Sequence, residues 1–145
     1  MRDRPRLPEL RLIYAETKTI AVVGASPAPD KKANSVPAYL QAQGYRIIPV
    51  NPRHDEIFGE KAYPKLLEIP EPVDVVDVFR PSPEAPMVAE QAVAIGAKVL
   101  WLQLGIVSAE AAAIATAVGM TVVMDTCMGA MHAKLGLGPS PGASS

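Results

Sequence analysis

A chain of 145 residues with 49% hydrophobic and 20% charged residues has the size and composition of one globular domain with a real core. A formal net charge of −1 gives no electrostatic footprint for nucleic acid, and no apolar run approaches the roughly 20 residues a membrane helix needs. The single cysteine, Cys127, excludes an intrachain disulfide and a cysteine-built metal cage; with no secretory leader pattern, the expected compartment is the cytoplasm.

In chain order, Arg2, Arg4, Arg6 and Arg11 alternate with Asp3 and Glu9 and read as a solvated leader, with a packing helix over Leu7–Glu16 inside an N-terminal helical extension 1–18. A first strand is expected at Thr19–Val23, followed by Gly24-Ala25-Ser26-Pro27 and a helix over 36–43 with helix-compatible residues from Asn34. Further strands are expected at 45–50, 73–79, 98–102 and 121–124. They are rich in Val and Ile and mostly apolar throughout, as in a parallel sheet covered on both faces.

Helices over 83–95 and 109–118 lie between these strands. Ser82 and Ser108 are their expected N-caps, and Gly96 and Gly119 their terminators. The longer connection 51–71 is expected to carry a short helix near 64–67. Alternation with short links predicts right-handed βαβ units. The ordered domain spans 1–135, and the Gly/Pro/Ser-rich tail 136–145 is expected to be disordered.

In open α/β sheets the ligand sits beyond the carboxyl ends of the strands. After the first strand come Gly24, Ala25, Ser26, Pro27, Lys32, Asn34 and Ser35; around the second end, Val50, Asn51, Pro52 and Arg53. After the third come Phe79 and Arg80, and after the fourth Gln103 and Gly105. Strand, glycine and helix in that order form a phosphate-receiving turn. The dinucleotide pattern G-x-G-x-x-G is nevertheless broken, because Ser26 and Pro29 hold its second and third glycine positions.

The second strand end discriminates between ligands. An NAD site wants an acid there for the ribose hydroxyls, whereas Asn51-Pro52-Arg53 offers a cation. The planar guanidinium suits a phosphorylated ribose, as in NADP or coenzyme A. Lys32, Arg53 and Arg80 make the edge basic, with little acid expected close by.

The runs Val22-Val23-Gly24-Ala25-Ser26-Pro27 and Pro49-Val50-Asn51-Pro52-Arg53 resemble those of the stand-alone bacterial CoA-binding-domain proteins. So do Val73-Asp74-Val75-Val76-Asp77-Val78-Phe79-Arg80 and Trp101-Leu102-Gln103-Leu104-Gly105-Ile106. That family is similar in turn to the N-terminal CoA-binding domain of the succinyl-CoA synthetase α subunit. The resemblance covers residues 19–135. It implies an α/β, Rossmann-like three-layer domain with a five-stranded, mainly parallel sheet, taken as order 3-2-1-4-5, and the cofactor coenzyme A.

By the same resemblance, Gly24–Pro27 approach the pyrophosphate, with Asn34 and Ser35 at the helix start. Asn51, Pro52 and Arg53 meet the adenosine and its 3′-phosphate. Phe79 and Arg80 flank the adenine or pantetheine path, and Gln103 and Gly105 the pantetheine side. The family's C-terminal pattern Asp-x-Cys-Pro-Ala-x-Glu-His-x-Arg-Leu is altered to Asp125-Thr126-Cys127-Met128-Gly129-Ala130-Met131-His132-Ala133-Lys134-Leu135, which lacks the proline and the glutamate.

Cys127 and His132 would point about 140° apart on one helix. They read as a buried cysteine and a structural histidine, with thiol–disulfide exchange between Cys127 and the CoA thiol left open. Asp74, Asp77 and Asp125 form no evident single-face cluster, so no metal site is expected, and no catalytic residue is assigned. The expected function is a module that binds CoA or acyl-CoA without catalysis. The alternatives are an NADP-binding oxidoreductase and a subunit of a split acyl-CoA ligase. A protein partner or homo-oligomer is left open, and neither nucleic acid nor membrane is expected as a partner. Met128 and Met131 are expected to pack in the core.

Overall fold

The computed structural model describes residues 5–139; residues 1–4 of the leader and 140–145 of the tail lie outside the described residues. The order is α1 (Leu7–Glu16), β1 (Thr19–Val23), α2 (Lys32–Ala42), β2 (Arg46–Val50), then a short antiparallel hairpin of β3 (Glu56–Ile57) and β4 (Glu60–Lys61). There follow β5 (Val75–Val78), α3 (Ala85–Ala94), β6 (Val99–Leu102), α4 (Ala109–Thr116), β7 (Thr121–Val123) and α5 (Met128–Lys134). Single turns of 3-10 helix stand at Leu66–Glu68 and Ser82–Glu84. No helix among the described residues is long and apolar enough to cross a membrane.

Five strands form one all-parallel sheet in the order β2-β1-β5-β6-β7. The fold is the expected Rossmann-like α/β domain, and the strand order differs in one respect. The segment expected outside β2 pairs instead with the other side of β1, giving 2-1-3-4-5 rather than 3-2-1-4-5 among the expected strands. The cause lies in the long connection after β2. Tyr63 makes a parallel bridge to Val50, its N–H donating to Pro49 O at 3.0 Å and its carbonyl accepting from Asn51 N at 2.9 Å. The outer edge of β2 is thereby occupied. β5 is buried at every position and takes a central place, as its unbroken apolar character requires. The reversal of strand order then lies between β1 and β5, so the loops at Gly24 and Phe79-Arg80 flank it.

Each face of the sheet carries its own core. On one face Leu10, Ile13 and Tyr14 of α1, Val36 and Leu40 of α2, and Met128 of α5 pack on Ile20, Val22, Ile47, Val75 and Trp101. On the other, Val88, Ala89 and Ala92 of α3 and Ala111 and Ala115 of α4 pack on Ala21, Ile48, Val76 and Leu100. Met131 is half-buried against the first core, so both methionines pack inward. The N-terminal helix is tied in through Tyr14, whose hydroxyl donates to Met128 O at 2.6 Å. Leu137, in the described part of the tail, also packs against this core.

Two helix starts shift from their expected positions. α2 begins at Lys32, four residues before the expected start, with Pro37 inside it. A proline at that position donates no hydrogen bond to the carbonyl four residues earlier. That carbonyl belongs to Ala33, and it accepts from Ser26 N at 3.1 Å. α3 begins at Ala85, because Ser82 does not cap it; the Ser82 hydroxyl accepts instead from Val107 N at 3.0 Å. Ser108 caps α4 as expected, accepting from Ala111 N at 3.0 Å.

Candidate functional site

The carboxyl edge of the sheet is a set of loops sewn to one another. Gly24 sits at φ +88°, and its N–H donates to Val50 O at 3.1 Å. A Cβ built there would lie 2.9 Å from Arg80 Cδ and 3.3 Å from the Phe79 carbonyl. Glycine is therefore demanded both by the left-handed backbone and by the passage of the Arg80 stem. Phe79 N donates to Val23 O at 2.9 Å, closing the same junction.

Ser26, in the place of a fingerprint glycine, holds the loop onto α2. Its N–H reaches Ala33 O, its hydroxyl accepts from Ala28 N at 3.1 Å, and its carbonyl accepts from Asn34 Nδ2 at 2.8 Å. A hydroxyl-bearing residue does work here that glycine could not. The N–H groups of Asn34 and Ser35 both turn back to Lys31 O at 2.9 Å. Pro27, Lys32 and Ser35 are exposed, while Ala25 is buried beneath them.

Asn51 joins three segments. Its Nδ2 donates to Ala25 O at 2.8 Å, its Oδ1 accepts from Arg53 N at 2.7 Å, and its own N–H reaches Tyr63 O. A carboxylate could accept but could not donate to Ala25. The residue that departs from the NAD pattern is thus required by the loop itself. Pro52 and Arg53 are exposed beside it, and Arg53 has no ion pair among the described residues.

Arg80 departs from expectation. Its Nε and Nη2 donate to the two carboxylate oxygens of Glu84 at 3.0 and 2.9 Å. This pairing raises the Arg80 pKa and lowers that of Glu84. The edge therefore does carry acid close to one of its three cations. The Ser82–Glu84 turn brings the carboxylate round, a register that the expected uninterrupted helix hid. Both side chains are close to half exposed, and a surface pair of this kind is worth at most about 1 kcal/mol, so a phosphate can compete for the guanidinium.

At the end of β6, Gln103 is buried, and its Nε2 donates to Asp77 Oδ1 at 2.5 Å. Asp77 lies inside β5, fully buried, with Oδ2 unpartnered. Burial pushes its pKa up to about 7, and the Gln103 hydrogen bond offsets part of that rise. Asp77 is not among the residues expected at this edge from the sequence. The available signal was a lone carboxylate within Val75-Val76-Asp77-Val78. Beyond Gln103, Gly105 takes φ +85° and donates its N–H to Asp125 Oδ1 at 2.7 Å.

Cys127 and His132 have separate neighbours. Cys127 is half-buried at the N-cap of α5, its sulfur accepting from Ala130 N at 3.4 Å. His132 is buried among the rings of Tyr14, Tyr39 and Tyr45, with centroids 5.4, 5.4 and 5.7 Å away, and its Nδ1 lies 2.8 Å from the Tyr39 hydroxyl. Burial lowers its pKa. No group of three His, Cys, Asp or Glu side chains among the described residues is arranged to hold a metal ion.

A cavity of about 270 Å³ lies elsewhere, at the amino edge of the sheet, lined among others by Glu9, Leu12, Ile13, Asp74, Lys98 and Val99. None of the expected ligand residues lines it. Strand direction, rather than enclosed volume, identifies the ligand edge in this fold class.

The profile of the CoA binding domain family matches residues 18–133. Uncharacterized protein YneT of Bacillus subtilis (strain 168) is 44% identical over 131 residues, covering 90% of this chain and 97% of that protein. A solved structure from Thermus thermophilus superposes with a TM-score of 0.86 at 41% identity, covering 90% of this chain and 99% of the other. Acetate–CoA ligase [ADP-forming] I of Archaeoglobus fulgidus is 28% identical over 137 residues, covering 88% of this chain but 20% of the ligase.

Proposed function

Because the chain belongs to the CoA-binding domain family, we propose that it binds coenzyme A or an acyl-CoA at the carboxyl edge and carries out no catalysis of its own. The observation that carries this reading is the joining of three segments by Asn51, which leaves Arg53 exposed at the carboxyl edge next to the turn after β1. An anionic, elongated ligand suits such an edge. Gly24, Ala25, Ser26 and Pro27 approach the pyrophosphate, with Lys32, Asn34 and Ser35 beside it. Val50, Asn51, Pro52 and Arg53 take the adenosine and its 3′-phosphate. Phe79 and Arg80 flank the adenine or pantetheine path, and Gln103 and Gly105 the pantetheine side. Arg80 exchanges Glu84 for a ligand phosphate.

A calorimetric panel of CoA, acetyl-CoA, NADP and NAD tests the reading. CoA and acetyl-CoA are expected to bind, and binding of the nicotinamide cofactors alone would overturn it. Arg53→Ala is expected to weaken CoA by about tenfold, the scale of one charge-assisted hydrogen bond, and dephospho-CoA much less. Equal losses for the two ligands refute the placement of Arg53 at the 3′-phosphate.

The Archaeoglobus ligase favours a second reading, in which the chain serves as the CoA-binding piece of a split acyl-CoA ligase. Under either reading the chain alone, given acetate, CoA and ATP, forms no acetyl-CoA. Turnover by the isolated chain would end the claim that it is not catalytic.

A further inference from the structure

A fully buried carboxylate in the middle of a parallel sheet needs a reason. Asp77 pairs in register with Val22 on one side and Trp101 on the other, so its strand neighbours offer it no charge and no side-chain donor to spare: the Trp101 Nε1 is committed to Thr126 O at 2.8 Å. Tyr14 of α1, which feels the charge of Asp77, has its hydroxyl committed to Met128 O. Cys127, before α5, belongs to the same group, and Tyr39, Tyr45 and His132 complete the layer. None of these supplies a cation, since burial holds His132 toward its neutral form. Among the described residues the one side-chain hydrogen bond that Asp77 makes is to Gln103 Nε2.

The other amide atom, Gln103 Oε1, has no hydrogen bond among the described residues, yet it is not among the buried polar atoms sealed without a partner. It therefore keeps some contact with solvent, although the residue as a whole is buried at the end of β6. An amide can be held by a carboxyl group in two ways. An ionised carboxylate can only accept, from the amide nitrogen, whereas a protonated one gains an O–H that can donate to the amide oxygen. Half a turn of the amide exchanges the two.

We propose that Asp77 is a positioning residue whose proton decides whether Gln103 presents its carbonyl oxygen or its amide nitrogen to the ligand edge. The arrangement observed is the ionised one, with nitrogen inward and oxygen outward. In that state Gln103 accepts from a ligand N–H. After a proton from solvent reaches Asp77, Gln103 turns and donates. The consequence for ligand rests on the CoA reading above, because pantetheine offers amide N–H groups at this point of the path. The turning of Gln103 itself does not depend on that reading.

The ligand-free protein provides the first test. The side-chain amide of Gln103 and the carboxyl carbon of Asp77 are followed by NMR from pH 5.5 to 8.5. A shared titration step is expected, and it disappears from Gln103 in Asp77→Asn. A Gln103 amide that stays still while Asp77 titrates overturns the proposal, as does an Asp77 with no step in the range.

The second test compares CoA with adenosine 3′,5′-bisphosphate, which has no pantetheine, across the same pH range. The ratio of the two affinities is expected to rise about fivefold from low to high pH in the wild type, the scale of one hydrogen bond. In Asp77→Asn the ratio should stay flat. A wild-type ratio that is also flat overturns the proposal. Failure of both ligands to bind sinks the CoA reading instead, and the NMR step still decides the role of Asp77.

Discussion

Asp74 and Asp77 stand three residues apart at opposite ends of one strand segment, and their surroundings differ in kind. Asp74, at the amino edge, accepts from Lys18 N at 2.9 Å and Thr19 N at 3.0 Å and lies 3.6 Å from Lys98 Nζ. Asp77, near the carboxyl edge, has one amide partner and one orphaned oxygen. The first carboxylate has its full set of partners and fastens β5 to the start of β1. The second is held with too few partners for a settled charge. Under-satisfaction of a buried polar group costs stability and persists where it serves a site. The contrast extends to the two edges: the amino edge has the cavity, and the carboxyl edge has the joined loops and the ambiguous acid.

The contrast can be broken at three places, in falling order of effect. For Asp77 the folded-state pKa of about 7 lies above the ordinary 3.8, so the folded protein holds a proton that the unfolded chain releases. Stability should therefore fall as pH rises from about 4 to about 7 and level off above, by an amount on the order of 4 kcal/mol. Asp77→Asn removes that fall, as urea midpoints at pH 5 and pH 8 would register. His132 acts with the opposite sign. Its pKa lies below 6.5 in the fold, so stability is lost as pH drops through that value. An Asp77→Asn protein that still loses stability between pH 5 and 8 would put the carboxyl-edge acid on the same footing as Asp74.

Gly24→Ala comes next. A methyl group at φ +88° is strained and meets the Arg80 stem, so a loss of about 2–3 kcal/mol is expected, together with weakened CoA binding. Unchanged denaturation and calorimetry would mean that Arg80 moves aside freely. Asp74→Ala is expected to cost about 2 kcal/mol, through two backbone donors left short of an acceptor, with CoA affinity unchanged. A change in affinity would show that the amino edge communicates with the site.

Much of this was legible in the residues. Val/Ile runs separated by helix-compatible stretches gave the parallel sheet, and Gly24-Ala25-Ser26-Pro27 with Asn51-Pro52-Arg53 carried the resemblance to the CoA-binding domain family. The hairpin Glu56–Lys61 was not legible, since its turn at Phe58-Gly59 has positive φ at both residues without the usual Asn-Gly signal. The place of the third strand was hidden too, because Tyr63 occupies the edge of β2 through backbone bonds, which no side-chain pattern announces.

By itself, then, the sequence determined the layer architecture, the family, and the strand ends at which Gly24, Asn51, Arg80 and Gln103 stand. These follow from local periodicity and from residue types at strand ends. Only the tertiary structure decided that Glu84 faces Arg80, that Ser82 holds Val107 in place of capping a helix, and that Asp77 meets Gln103 across 26 residues of chain. Such pairings depend on which strands become neighbours and on which oxygen is left without a donor. Long-range packing sets both.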